Sequence, residues 1–89
     1  MTLVIQVDNQ GSAIEMVFDK TGLEFLKNVL SRNWNEPVSK GNNYYDFDHV
    51  HFASKQWGGD ELTPEFTSPG FNEKHAVKMI YLGKQERDS

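Results

Sequence analysis

The chain has 89 residues, enough for one domain and one core, with 37% apolar and 25% charged residues, the balance of an ordinary folded domain rather than a disordered one. It contains no cysteine, which excludes a disulfide framework, thiolate metal sites and cysteine nucleophiles. Its formal net charge is −4, with nine basic residues scattered among thirteen acidic ones, so the basic stripe of a direct nucleic-acid binder is missing and a basic partner is the electrostatic match.

The first eight residues lack a basic start and a long apolar run, so neither a secretory leader nor a membrane span is expected, and a reducing cytoplasm is the expected compartment. Leu3, Ile5 and Val7 alternate with Thr2, Val4 and Gln6; after Asn9-Gln10-Gly11-Ser12, Ile14, Met16 and Phe18 alternate with Ala13, Glu15 and Val17. Two period-two runs joined by an Asn/Gly turn predict a β-hairpin. Thr21-Gly22-Leu23-Glu24 fits a capping box, with Thr21 as the expected N-cap. Leu23, Phe25, Leu26, Val29 and Leu30 then share one side of a helix, within about 160° of arc. This amphipathic helix is expected to end near Asn33 or Trp34, because Glu36-Pro37 bars its continuation.

Residues 35–43 are polar and predict a loop. A third strand is expected over 48–54, with Val50 and Phe52 on one face and His49 and His51 on the other. Gly58-Gly59 ends it. Residues 60–74 read mainly as loop, with a short strand near Glu61-Leu62, and 75–82 as the last strand. The expected architecture is α+β: a mostly antiparallel four-stranded sheet in the order β-β-α-β-β, with one amphipathic helix packed on one face. Residues 1–83 form the single expected domain, and 84–89 a flexible charged C-terminal tail.

His49-Val50-His51 places two imidazoles on one strand face about 6–7 Å apart, a spacing that suits a metal pair or an acid–base pair. His75 is the only other histidine and falls near the far end of strand three, so hydrogen-bonded histidines on a sheet face are the commoner outcome. Asp46 and Asp48 show no environment that would drive their pKa values apart, as catalytic carboxylates require. Gly58-Gly59 lacks the glycine spacing of a phosphate loop, and no nucleophile-elbow pattern surrounds any serine. Catalytic residues, metal ligands and cofactor-binding residues are therefore not assigned.

The regional bias carries more. Eight of the eleven aromatic residues (Trp34, Tyr44, Tyr45, Phe47, Phe52, Trp57, Phe66 and Phe71) lie between 34 and 71. Between 36 and 65 six acidic residues (Glu36, Asp46, Asp48, Asp60, Glu61, Glu65) stand against Lys40 and Lys55. Aromatics anchor interfaces and flanking charge steers a partner of opposite sign. The expected partner-binding residues are Tyr44, Tyr45, Asp46, Asp48, Trp57, Asp60 and Glu61.

The run His49-Val50-His51-Phe52-Ala53-Ser54-Lys55-Gln56-Trp57-Gly58-Gly59-Asp60-Glu61-Leu62-Thr63 resembles the immunity protein 32 family of bacterial polymorphic toxin systems, in its His-x-His strand, its Trp-Gly-Gly and its acidic-Leu-Thr step. The resemblance extends in element order over most of the chain, but only 49–63 is specific to it. It implies a cytoplasmic immunity protein that binds and neutralises the C-terminal domain of a cognate toxin, a nuclease being one option. The Tyr44-Tyr45 stretch and the long 63–74 loop depart from the pattern. Occlusion of a basic active site by the acidic, aromatic-rich surface would be the mechanism. A small histidine-based or metal-dependent enzyme and a homo-oligomeric module pairing through an open sheet edge are the alternatives.

Overall fold

The computed structural model describes residues 1–36, 47–64 and 67–83. Tyr44, Tyr45, Asp46, Glu65 and Phe66, most of the loop expected at 35–43, and the tail expected at 84–89 lie outside the described residues.

The N-terminal hairpin forms as the alternation dictates. Strand β1 (Leu3–Asp8) pairs antiparallel with β2 (Ile14–Phe18), with Leu3 opposite Phe18, Ile5 opposite Met16 and Val7 opposite Ile14. Asp8 closes the turn: its carboxylate accepts from the Ser12 and Ala13 amides at 2.7 and 3.1 Å and from the Ser12 hydroxyl at 2.9 Å. β1 is not half-exposed, however. Leu3, Val4, Ile5 and Gln6 are all buried, so both of its faces are covered.

Helix α1 (Lys20–Leu30) starts earlier than the capping-box pattern suggested. Asp19, not Thr21, is the N-cap, and its Oδ1 accepts from the Gly22 amide at 2.7 Å. The last bond of the hairpin ladder, Asp19 N–H to the Thr2 carbonyl at 3.3 Å, already holds Asp19 in extended geometry, which leaves Thr21 inside the first turn. Gly22 lets the helix start lie against β1: a Cβ there would sit 2.2 Å from the Thr2 carbonyl oxygen. The helix also ends earlier than expected. Ser31 donates backbone and hydroxyl hydrogen bonds to the Lys27 carbonyl at 3.0 and 2.7 Å, and the Trp34 indole turns back to donate to the Leu30 carbonyl at 3.3 Å.

The single four-stranded sheet is not formed. β1 is flanked by β2 on one edge and by β4 (Phe71–Glu73) on the other, giving a three-stranded antiparallel sheet, while β3 (Asp48–Ala53) and β5 (Ala76–Tyr81) make a separate two-stranded one. The reason lies in the 60–74 stretch expected to be mostly loop. Thr63 occupies the first half of β1's second edge, with its N–H on the Leu3 carbonyl at 2.8 Å and its hydroxyl accepting from the Leu3 amide at 2.7 Å. β4 fills the second half, so β3 cannot reach β1. The two sheets touch through a stitch instead: the Leu62 amide donates to the Ala53 carbonyl at 3.1 Å, in a parallel bridge between Ser54 and Leu62, and Thr63 next door pairs with Leu3.

The segment before β4 also covers the outer face of the larger sheet, which explains the buried glutamine. Gln6 donates to Glu15 at 2.6 Å and to the Ser68 hydroxyl at 2.9 Å, and accepts from the Ser68 amide at 3.0 Å. A buried amide with these partners carries little desolvation penalty. On the inner face Leu3, Ile5, Phe52 and Leu62 form the core, with Phe25, Leu26, Val29, Val50, Val77 and Met79 packed around it. The Phe25 and Phe52 rings meet edge to face at 5.3 Å.

Candidate protein-binding surface

Of the seven residues expected at a partner surface, Asp48, Trp57, Asp60 and Glu61 fall among those described. They do not form one patch. β3 runs from Asp48 toward the turn that carries the other three, and six residues of strand span roughly 17 Å.

Asp48 is a fastener. Its Oδ2 accepts from the Asn35 amide at 2.8 Å and lies 3.6 Å from Arg32, and that hydrogen bond, aided by the Arg32 charge, holds its pKa below the ordinary aspartate value. Arg32 sits over the Trp34 ring at 4.6 Å, Trp34 lies against Tyr81 at 5.6 Å, and the Tyr81 hydroxyl donates to Glu36 at 2.6 Å. Together these contacts lash the chain after α1 onto β3 and β5.

Glu61 is likewise engaged inward. Its Oε2 accepts from the Ala53 and Asp60 amides at 3.2 and 3.0 Å, and backbone amides, its own and that of Ala53 foremost, lower its pKa.

Trp57 and Asp60 point outward from the turn between them. A 3-10 turn over Lys55–Trp57 is closed by the Trp57 and Gly59 amides, both donating to the Ser54 carbonyl at 2.9 Å. Gly58 adopts φ 88°, and a Cβ on Gly59 would fall 2.6 Å from the Ala53 carbonyl oxygen, so this turn requires glycine at both positions. Trp57 is 66% exposed. Its indole stacks nearly parallel, at 5°, on the His75 imidazole 6.3 Å away, and His75 Nδ1 is 2.8 Å from the Ser54 hydroxyl. Ser54 is itself buried, so the indole rests on a support fixed to the core. A hollow of about 220 Å³ opens beside it, lined in part by Lys55, Asp60, Leu62 and Pro64.

His49 and His51 sit on the outer face of the smaller sheet with ring centres 5.0 Å apart, and His49 Nδ1 is 3.0 Å from the Phe47 carbonyl. Among the described residues no three His, Asp or Glu side chains converge as a metal cage, and no helix is long and apolar enough to cross a membrane.

Sequence reasoning missed two features. His75 was weighed only as a metal ligand, and its place beside strand three was legible, but its stacking under Trp57 depends on the turn geometry. An apolar slot of about 380 Å³ was also unforeseen. It opens between β2 and β5, walled by Ile14, Met16, Leu26, Leu30, Val77 and Met79 over Leu3, Ile5 and Phe52. The alternation puts Ile14 and Met16 on one face of β2, but nothing in it shows that this face is left open.

Asp8, Asp19, Asp48 and Glu61 all accept backbone hydrogen bonds that depress their pKa values below the ordinary 3.8 for aspartate and 4.5 for glutamate. A depressed pKa contributes stability above the unfolded-state value, and that contribution is lost as pH falls toward the folded-state value. The urea midpoint is therefore expected to hold steady from pH 8 to about 5 and to drop as the pH falls below about 4. A midpoint unchanged at pH 3 would show these contacts to be idle.

The fold and this surface define a small α+β domain carrying a braced, exposed tryptophan. No family model matches the chain, and neither the curated proteins nor the solved structures give a match.

Proposed function

We propose that this chain is a protein-binding domain that anchors its partner on Trp57, and that it serves as an immunity protein whose partner is a toxin domain. The observation that carries the first half is the exposed indole stacked on His75, which Ser54 in turn holds. A tryptophan already fixed in place loses little freedom on docking, so most of its burial becomes binding energy. Asp60 beside it and the net charge of −4 favour a basic partner surface. The resemblance of residues 49–63 to immunity proteins supports the second half, because Trp57-Gly58-Gly59 and Glu61-Leu62-Thr63 are the residues that build this turn. Asp48 and Glu61 act in this reading as scaffolding, and Trp57 and Asp60 as contacts.

The test is co-expression with the C-terminal domain of a toxin encoded beside this gene. The wild-type chain is expected to restore growth and to co-purify with that domain. Trp57→Ala should weaken binding at least about 30-fold, the loss of a hot-spot residue, measured by calorimetry. Its melting temperature should stay near wild type, since an exposed side chain contributes little to the fold. Undiminished toxicity with the wild-type chain, or equal protection by Trp57→Ala, would refute the proposal.

A further inference from the structure

β2 is an edge strand whose outward side is unpaired among the described residues. The hairpin ladder fixes which of its backbone groups face outward. Asp8 N–H bonds the Ala13 carbonyl and Asp19 N–H bonds the Thr2 carbonyl, so in this register residues 13, 15, 17 and 19 turn their N–H and C=O toward β1. Ile14, Met16 and Phe18 therefore turn theirs to the open edge. These same residues carry exposed apolar side chains, at 72, 47 and 45%. Backbone hunger and apolar exposure coincide on alternate residues of one short strand.

The usual protections of an edge are absent from β2: Ile14-Glu15-Met16-Val17-Phe18 holds no lysine, proline or bulge, and its one charge, Glu15, is bonded to Gln6 and Ser68 on the other face. β5 provides the contrast. There the ladder turns Ala76, Lys78 and Ile80 to its open side, which places a lysine at the centre of any self-pairing.

We propose that β2 pairs antiparallel with β2 of a second copy, about a two-fold axis through Met16, to join the two three-stranded sheets into one. In that register Met16 meets its own copy, and Ile14 meets Phe18 of the second copy and the reverse. The outward N–H and C=O groups of all three residues fall into ladder pairs. Charges are compatible: Glu15 faces Val17 and Asp19 faces Ala13, so no like charges oppose. The two-fold stands perpendicular to the sheet, so both copies present Ile14, Met16 and Phe18 on the same side as their helices, as one apolar row along the mouth of each slot. The Trp57 turn takes no part, so this association and partner binding through Trp57 can fail separately.

The chain has no cysteine, which permits a direct test. Met16→Cys places two thiols at the axis with Cα atoms about 5.5 Å apart, within disulfide reach. Under mild oxidation it should convert to a covalent dimer, whereas Gln10→Cys at the exposed hairpin turn should not. Light scattering should show the wild type moving toward twice the monomer mass as its concentration rises into the high-micromolar range. Met16→Lys, which gives β2 the charge that β5 already carries, should weaken dimerisation at least about 10-fold with an unchanged circular dichroism spectrum. If Met16→Lys misfolds, the cysteine pair decides. A wild type that stays monomeric, or equal crosslinking at positions 16 and 10, overturns the proposal, including the case where only an added toxin domain shields Met16.

Discussion

Gly22→Ala is expected to destabilise the protein by about 2–3 kcal/mol, the upper range for an overpacked site. That corresponds to a melting temperature lower by roughly 10–20 °C for a domain of this size. An alanine inside an ordinary helix is worth about 1 kcal/mol more than glycine, so propensity alone predicts the opposite sign. The clash decides. The new Cβ would lie 2.2 Å from the Thr2 carbonyl oxygen and 3.0 Å from the Phe18 Cβ, and neither is the far end of a flexible chain that can swing aside. Relief requires the helix start to lift from β1, which stretches the Asp19 bonds to Gly22 and Thr2 together. Thermal denaturation followed by circular dichroism measures it. A melting temperature at or above wild type would show that the start of α1 can move off Thr2 at no cost.

Phe52→Ala is expected to cost about 3–5 kcal/mol, the usual loss for truncating a buried phenylalanine. Phe52 is buried at the centre of the inner face and meets Phe25 edge to face. It also floors the apolar slot, so the space left by the ring joins an opening that is already there rather than a sealed void. The loss should therefore fall at the lower end, near 3 kcal/mol. Against a total of roughly 4–13 kcal/mol for a chain of this length, that is a large share. Urea unfolding gives the value directly, and a loss below about 1 kcal/mol would remove Phe52 from the core.

The elements legible in the sequence were those whose signals are local. The hairpin needed only alternation and Asn9-Gln10-Gly11-Ser12, and α1 only its apolar spacing. β3 showed the same alternation, a last strand was legible over 75–82, and their antiparallel pairing puts His75 beside the end of β3 as expected. What failed was decided at long range. β4 is three residues long inside a segment with Pro64, Pro69 and Gly70, too short for periodicity to show. Its pairing with β1, and that of Thr63, decided the sheet topology, and no pattern within a window of ten residues records which edge of β1 will be filled. The site divided the same way. Negative charge between 36 and 65 was plain from composition, but Asp48 and Glu61 turned out to secure backbone amides. A carboxylate's choice between solvent and a nearby N–H depends on a fold that is not yet known when the sequence is read. Trp57 stood out in the sequence only as one of eight aromatics between 34 and 71, and its 66% exposure depends on the turn that Gly58 and Gly59 make.

The junction at Leu62 and Thr63 has a consequence for how the molecule is made. The amide of Leu3 finds its acceptor in a side chain 60 residues further on, so the first strand emerges from the ribosome long before the segment that completes its second edge. Until then the nascent hairpin and helix hold an apolar flank with nothing laid across it, and such non-local closure is the slow kind. Acquisition of the native state should thus await synthesis past Thr63, and a chain halted before it would be a target for chaperones or proteases rather than a working half.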